Sequence, residues 1–452
     1  MKRQIGRGVR AVSAAVAAVC AVLALSWPAY ARDPAPYAFD PGAKRVTGRV
    51  ANADAPVLDA GSVYRSSIGP GEKLYYRVNL DATSNAYVSA VVVPRSPEGE
   101  VAYGDGITVS IRDRNDTQCG AEDALVGSAE FARPMSAYAV RTVKEGNSYC
   151  QEAGAYDVLI ERKGKETSSP EVWDLEIRHD VEPALKAAGS QPTTAPSEFA
   201  SEPPAPLPTS APRAARSGGT GFYDATGLEP GEWKDSVSPG QTLFYRVPVD
   251  WGQQLFVTAE LSNNNASTTF LGNALSLSLA NPARGHVEGA VLSYSGRPAS
   301  VSLDPLPPVG WSNRYASATN ISAMRFAGWY YVSVGLSPKV AEEYGAGPIK
   351  LTLTVQVKNE AQGSPYAGAA GIFGVSDDDR DMARSGRSAP EAARSATMRL
   401  VGVAGIGAGT VLVLGLGVWT LLARRGQGAG VPAASGGTAR QPSPYGEPPQ
   451  AR

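Results

Sequence analysis

The sequence predicts an all-β protein: two tandem antiparallel β-sandwich or jelly-roll modules, followed by one C-terminal transmembrane α-helix. Three observations predict it. Short segments alternate apolar with polar residues, favour β-branched and aromatic types, and are bounded by Pro-Gly or Gly-Asp clusters, the pattern of half-buried strands. These segments occur twice, in the same order, on either side of a Pro-rich stretch. Near the end of the chain, the run between Leu400 and Ala423 carries no charged residue. At ~1.5 Å per residue it spans about 36 Å, against a hydrocarbon core about 30 Å thick.

The N-terminus reads as an export signal. Lys2, Arg3, Arg7 and Arg10 precede an uncharged apolar run from Ala11 to Leu25, which is followed by Ala29-Tyr30-Ala31. That order predicts a signal peptide over residues 1–31, cleaved after Ala31; an uncleaved N-terminal anchor is the alternative. Cys20 does not mark a lipoprotein, because Val19 stands where lipid attachment wants a small residue. Export leaves two cysteines, Cys119 and Cys150, which in an oxidising compartment most simply form one disulfide. Closing a loop of about 30 residues is worth roughly 3 to 4 kcal/mol in the chain-entropy account. A metal pair or redox site is the alternative, and neither a C-x-x-C nor a neighbouring His supports it.

The first module spans 32–182 and the second 219–360, with a Pro/Ala/Ser-rich linker at 183–218 that favours extended, polyproline-like chain. Residues 361–398, rich in Ala, Gly, Ser, Asp and Arg, read as a low-complexity stalk. The transmembrane helix follows at 399–423, stopped by Arg424 and Arg425, and the tail 424–452 is expected to be disordered and cytoplasmic. Arg380, Arg384, Arg387, Arg394 and Arg399 sit on the outer side, against the positive-inside tendency; the cleaved signal decides orientation instead. No Leu-Pro-x-Thr-Gly precedes the run, so a membrane anchor is preferred to sortase attachment.

The repeat is direct. The segment from Pro70 to Asp81 aligns without gaps with that from Pro239 to Asp250. Tyr87-Val88-Ser89-Ala90 answers Phe256-Val257-Thr258-Ala259, and the strands opening at Ile107, Gly154 and Val172 answer those opening at Leu275, Gly328 and Ile349. Pro-Gly followed by a Tyr-x-Val pair, then Asp, with a distal Gly-x-Tyr-x-Val strand, resembles the pre-peptidase C-terminal domain, a β-sandwich appended to secreted bacterial hydrolases. By that resemblance the stretches between Cys119 and Glu152 and between Arg284 and Arg325 are insertions. The whole arrangement is similar to exported single-pass proteins of high-GC Gram-positive bacteria (actinobacteria), which implies a non-catalytic envelope module.

Chemistry-bearing motifs are sparse. A net charge of −1 gives no electrostatic basis for binding nucleic acid. Only His179 and His286 are available as imidazole bases, each read as a surface residue, and no G-x-S-x-G, H-E-x-x-H or P-loop occurs. Asp105, Asp113 and Asp116 offer oxygens to Ca²⁺, though a solvated loop explains them as well. Asp81 and Asp250 recur after Arg77 and Arg246, as expected of residues that shape a hairpin. Trp251, Trp311, Trp329 and Tyr330 are candidate sugar-stacking aromatics, with Trp329 and Tyr330 singled out; core packing is the competing reading.

These observations favour a non-catalytic, membrane-anchored extracytoplasmic protein that binds or scaffolds an envelope protein or a wall polysaccharide, with no cofactor and no metal. The alternatives are an accessory subunit of a membrane or secretion complex, and an envelope hydrolase working through carboxylates.

Overall fold

The structure, a computed structural model, describes residues 35–95, 101–144, 146–165, 168–186, 192–196, 198–203 and 214–426. The expected signal peptide with its cut after Ala31, the centre of the linker and nearly all of the tail lie outside the described residues. Residues 1–392 form one compact unit and 393–452 a second.

The first half of the larger unit contains β1 (Lys44–Arg45), β2 (Ser62–Ile68), β3 (Lys73–Leu80), β4 (Ala86–Val93), β5 (Gly106–Arg112), β6 (Gln118–Leu125), β7 (Met135–Arg141), β8 (Gly154–Lys163) and β9 (Trp173–Val181). They form two sheets, ordered β1-β2-β9-β4-β7 and β3-β8-β5-β6. From β2 onward every successive strand changes sheet except across the β5–β6 hairpin, which is jelly-roll winding. Between the sheets lies a core of alternating apolar side chains, including Tyr76, Val78, Val88, Ala90, Val109, Ile160, Trp173 and Ile177.

The second half repeats this plan with one strand added, β11, at the edge of its second sheet. It contains β10 (Ala214–Ala215), β11 (Thr226–Gly227), β12 (Gly231–Val237), β13 (Thr242–Val249), β14 (Gln254–Leu261), β15 (Leu271–Ala280), β16 (His286–Tyr294), β17 (Ala299–Ser302), β18 (Gly328–Leu336) and β19 (Ile349–Lys358). The sheets are β10-β12-β19-β14-β17 and β11-β13-β18-β15-β16. The registers coincide. Leu80 faces Gly154 as Val249 faces Gly328, and these two glycines hold φ of 151° and 136°. Gly71 and Gly240 likewise take φ of 66° and 76° after their prolines, the third position of a type II turn, where a side chain is strained. On the last strand the register sets Trp173 opposite Ile349, one residue on from the strand opening read at Val172.

Three sequence readings change here. The stretches read as insertions are structural strands: β6 and β16 extend one sheet of each module, while β7 and β17 extend the other. Edge strands such as Gln118–Leu125 bury only one residue, Ala124, and show no clean alternation of apolar with polar residues. The disulfide does form, joining Cys119 on β6 to Cys150 in the β7–β8 connection across a Cα–Cα distance of 5.7 Å.

Second, residues 361–388 are folded, where low complexity suggested a stalk. Tyr366 and Phe373 are each 1% exposed. Beyond them Ser376 and Asp379 form a reciprocal capping box on the helix Asp377–Ser385, labelled α3 after the short helices α1 (Thr319–Ala323) and α2 (Val340–Tyr344). α3 packs on β11 and β13, where a Cβ at Gly227 would stand 3.0 Å from the Met382 carbonyl.

Third, α4 (Ala389–Gly426) is a continuous helix that contains the stretch between Leu400 and Ala423. Among the described residues no helix is long and apolar enough to cross a membrane. Its residues 410–422 are all exposed, Val411, Leu414 and Trp419 each by more than half.

Candidate functional site

The two jelly rolls meet face to face. β4 is buried at all eight positions, where a surface strand of a sandwich buries every second one. One side fills its own core; the other lies against the second module. Val91 and Val93 pack with Phe222, Phe244, Ala280 and Tyr331, so the β2-β9-β4-β7 sheet of the first module covers part of the β13-β18-β15 sheet of the second. Close approach is enforced at Gly285, where any Cβ would fall 2.1 Å from the Tyr138 ring.

Two ion pairs are sealed in this interface. Arg284, in the β15–β16 turn, bonds Glu176 on β9, and both side chains are at most 5% exposed. Burial works against the Arg284 charge, but the adjacent Glu176 carboxylate holds its pKa above the ordinary value. Arg314 of the second module pairs with Glu182 of the first at 2.8 Å, again out of solvent. Glu182 also accepts from Asn85 Nδ2 at 2.7 Å, Tyr87 Oη at 3.0 Å and Tyr366 Oη at 2.5 Å. Burial pushes the carboxyl up, yet Arg314 and these donors more than offset it and leave its pKa lowered. A buried charge so fully satisfied fixes geometry more than it adds stability.

Beside this sealed region the modules diverge and leave a cleft of about 260 Å³. One wall is the outer face of the second module's sheet, where Thr242, Ser276, Ser278 and Ser333 alternate with core residues Leu243, Leu275, Leu277 and Val334. The opposite wall is the β6–β7 connection of the first module, which carries Arg133 and is followed by Ser136. That connection is pinned at two points. Asn273 Nδ2 donates to the Ser128 carbonyl at 2.8 Å, and Phe131, 4% exposed, lies over Gly335, where a Cβ would stand 3.3 Å from the ring. Arg133 Nη1 then donates to the carbonyls of Ala129 at 2.7 Å and Phe131 at 3.1 Å, which fixes the guanidinium.

The residues singled out from sequence fall elsewhere. Tyr330 is fully buried and donates its hydroxyl to the Phe326 carbonyl at 2.9 Å, so it is a core residue and stacks on no ligand. Trp329 lies on the outer face but is covered: its indole donates to Asp379 on α3 at 2.7 Å, and the Arg246 guanidinium sits 4.1 Å from its ring centroid. Arg246 on β13 therefore covers the ring face expected to stack, while Asp379 of the folded 361–388 segment takes the indole N–H. Trp251 is buried against Tyr366, and Trp311 is capped by Arg314.

His179 is 1% exposed, contrary to its reading as a surface residue, and its Nδ1 lies 2.9 Å from the Leu58 carbonyl. Burial lowers its pKa. His286 is exposed and lines the cleft, with Nδ1 3.4 Å from Ser278 Oγ. Asp105 is buried on Ser168 Oγ and the Ala102 amide, Asp113 accepts the Asn115 and Thr117 amides, and Asp116 pairs with Arg112. Among the described residues no group of three or more His, Cys, Asp or Glu side chains is placed to hold a metal ion.

Asp81 shapes the turn between β3 and β4, which lie in different sheets and form no hairpin, through the Thr83 and Ser84 amides, which hold its pKa down to about 2. Asp250 instead accepts Arg380 at 2.6 Å, another anchor of the C-terminal segment. The cleft itself was missed. Its signal was the near-continuous apolar run of β4, interrupted only by Ser89, which marks a strand covered on both faces and hence a docked module.

No family model matches the chain, and no curated protein matches it. Solved structures similar to it include the N-terminal CBM22-1–CBM22-2 tandem domain of Paenibacillus barcinonensis Xyn10C, at 10% identity and a TM-score of 0.17 over 66% of this chain and 92% of that one. Broad bean stain virus is similar at 8% identity and a TM-score of 0.19, over 73% of this chain and 96% of that one. The ANX1 ectodomain of Arabidopsis thaliana is similar at 8% identity and a TM-score of 0.16, over 68% of this chain and 86% of that one.

Proposed function

We propose that this chain is a non-catalytic binding protein of the bacterial cell envelope, held at the membrane by the stretch between Leu400 and Ala423, that takes up a wall glycan in the cleft between its two jelly rolls. The observation that carries this reading is the cleft wall: four hydroxyls, Thr242, Ser276, Ser278 and Ser333, on rigid strands opposite a pinned loop. Sugars present several hydroxyls and are held by donors and acceptors that do not move. The exposed apolar residues of α4 support anchoring, because such a surface is costly in water. The resemblance to the pre-peptidase C-terminal domain supports a module without chemistry of its own.

The test is retention of the full chain, in detergent micelles, by isolated peptidoglycan and its attached polymers at moderate salt. Saturable retention, abolished by Ser333→Tyr, which fills the cleft, is the expected result. Retention unchanged by that substitution removes the cleft from the reading, and no retention moves the function to a protein complex around α4.

A further inference from the structure

Arg133 is a fixed cation on the cleft wall. Among the described residues no carboxylate forms an ion pair with it, whereas the interface arginines Arg284 and Arg314 each have one. Two backbone carbonyls hold Nη1, and the Phe131 ring centroid lies 5.1 Å from the guanidinium carbon. Burial unrelieved by a counter-charge pushes its pKa down to about 10, which still leaves it charged at neutral pH. Orientation by carbonyls that carry no net charge leaves the ionic capacity of a planar fork donor unspent.

Its surroundings reinforce the sign. Arg133 lies on the wall between the cleft and a second cavity of about 410 Å³. The charged residues lining that second cavity are Arg65, Arg95, Arg133 and Asp174, three cations against one anion. Arg95 and Arg65 share the single Asp174 at 2.9 and 3.6 Å. On the cleft side the one carboxylate is Asp123, whose Oδ1 accepts the Thr108 hydroxyl at 2.5 Å.

We infer that Arg133 is an anion-binding residue, and that the ligand of this cleft is a sugar unit carrying a carboxylate or a phosphate, its charge on Arg133 and its hydroxyls on Ser278 and Ser333. The inference rests on the glycan reading of the cleft and narrows it to acidic glycans. A bidentate guanidinium contact serves a carboxylate and a phosphate equally well, so the two sources are separated by the probe.

The experiment is calorimetric titration of the full chain in micelles with three probes: tetragalacturonate, glucose 1-phosphate and neutral cellotetraose. Saturable binding of one of the two anionic probes, weakened at least tenfold by Arg133→Gln and less by Arg133→Lys, which keeps the charge but loses the fork, with thermal unfolding of both variants unchanged, is the expected result. Which anionic probe binds identifies the charged group. Equal affinity in wild type and Arg133→Gln overturns the inference. Binding of cellotetraose alone overturns it while leaving the glycan reading in place, and binding of no probe, together with no retention on wall material, overturns both.

Discussion

Individual residues owe their properties here to the docking of one module on the other. Glu122, on the edge strand β6, accepts the Tyr138 amide at 3.1 Å. Burial raises its pKa to about 8, opposed only in part by that amide and by Arg325 from the second module. The folded value lies above the ordinary 4.5, so its contribution to stability is complete below about pH 4.5 and is lost as pH rises towards 8. Glu122→Gln keeps an acceptor for the Tyr138 amide and carries no charge. Its expected effect is a gain of about 1–2 kcal/mol at pH 9 that vanishes near pH 4, read from urea unfolding at both pH values. His179 has the opposite sign: its lowered pKa makes its contribution complete above about 6.5 and lost on acidification. Equal stability of Glu122→Gln and wild type at pH 9 contradicts the assignment of Glu122. Nothing in the local sequence of β6 shows this, because the groups that bury Glu122 come from β7 and from Arg325, which lies some 200 residues away along the chain.

At the scale of elements, legibility followed the strength of the local pattern. The strand Ile349–Lys358 was plain because Ile349, Leu351, Leu353 and Val355 are buried in strict alternation. The segment 361–388 was not, because its burial rests on two isolated aromatics in a Gly/Ala/Ser background. Phe373 packs against Tyr87 at 5.5 Å and Phe326 at 4.8 Å, one from each module, so it closes the seam between them. The sequence did hold one cue, the Ser376-x-x-Asp379 spacing of a capping box. Phe373→Ala is expected to cost about 3–5 kcal/mol, as large aromatic truncations in a packed core do. Limited proteolysis reads it independently. The variant becomes cleavable between 361 and 388 under conditions in which the wild type is not, and equal protease resistance in both shows that the segment contributes nothing to the seam.

For the larger unit as a whole, the duplication was legible and the docking was not. Strand order follows from periodicity and turn residues, which the two halves share. Which faces meet depends on where the halves have diverged. Positions that are Lys73, Tyr75, Thr108 and Glu161 on the outer sheet face of the first module are Thr242, Phe244, Ser276 and Gly335 on the second. Loss of charge on one face and the apolar run of β4 on the other together let the two faces pack. The Glu182–Arg314 pair then makes it conditional. Removing one partner of a buried pair leaves an uncompensated charge at a cost of about 3–5 kcal/mol, whereas neutralising both costs much less. Scanning calorimetry of the full chain is therefore expected to show one cooperative transition covering both jelly rolls. Arg314→Ala splits it into two as the docked faces separate, and the double change Arg314→Met with Glu182→Gln restores a single transition. Two transitions already in the wild type would mean that each jelly roll stands alone, and that the cleft between them is too loosely framed to select a ligand.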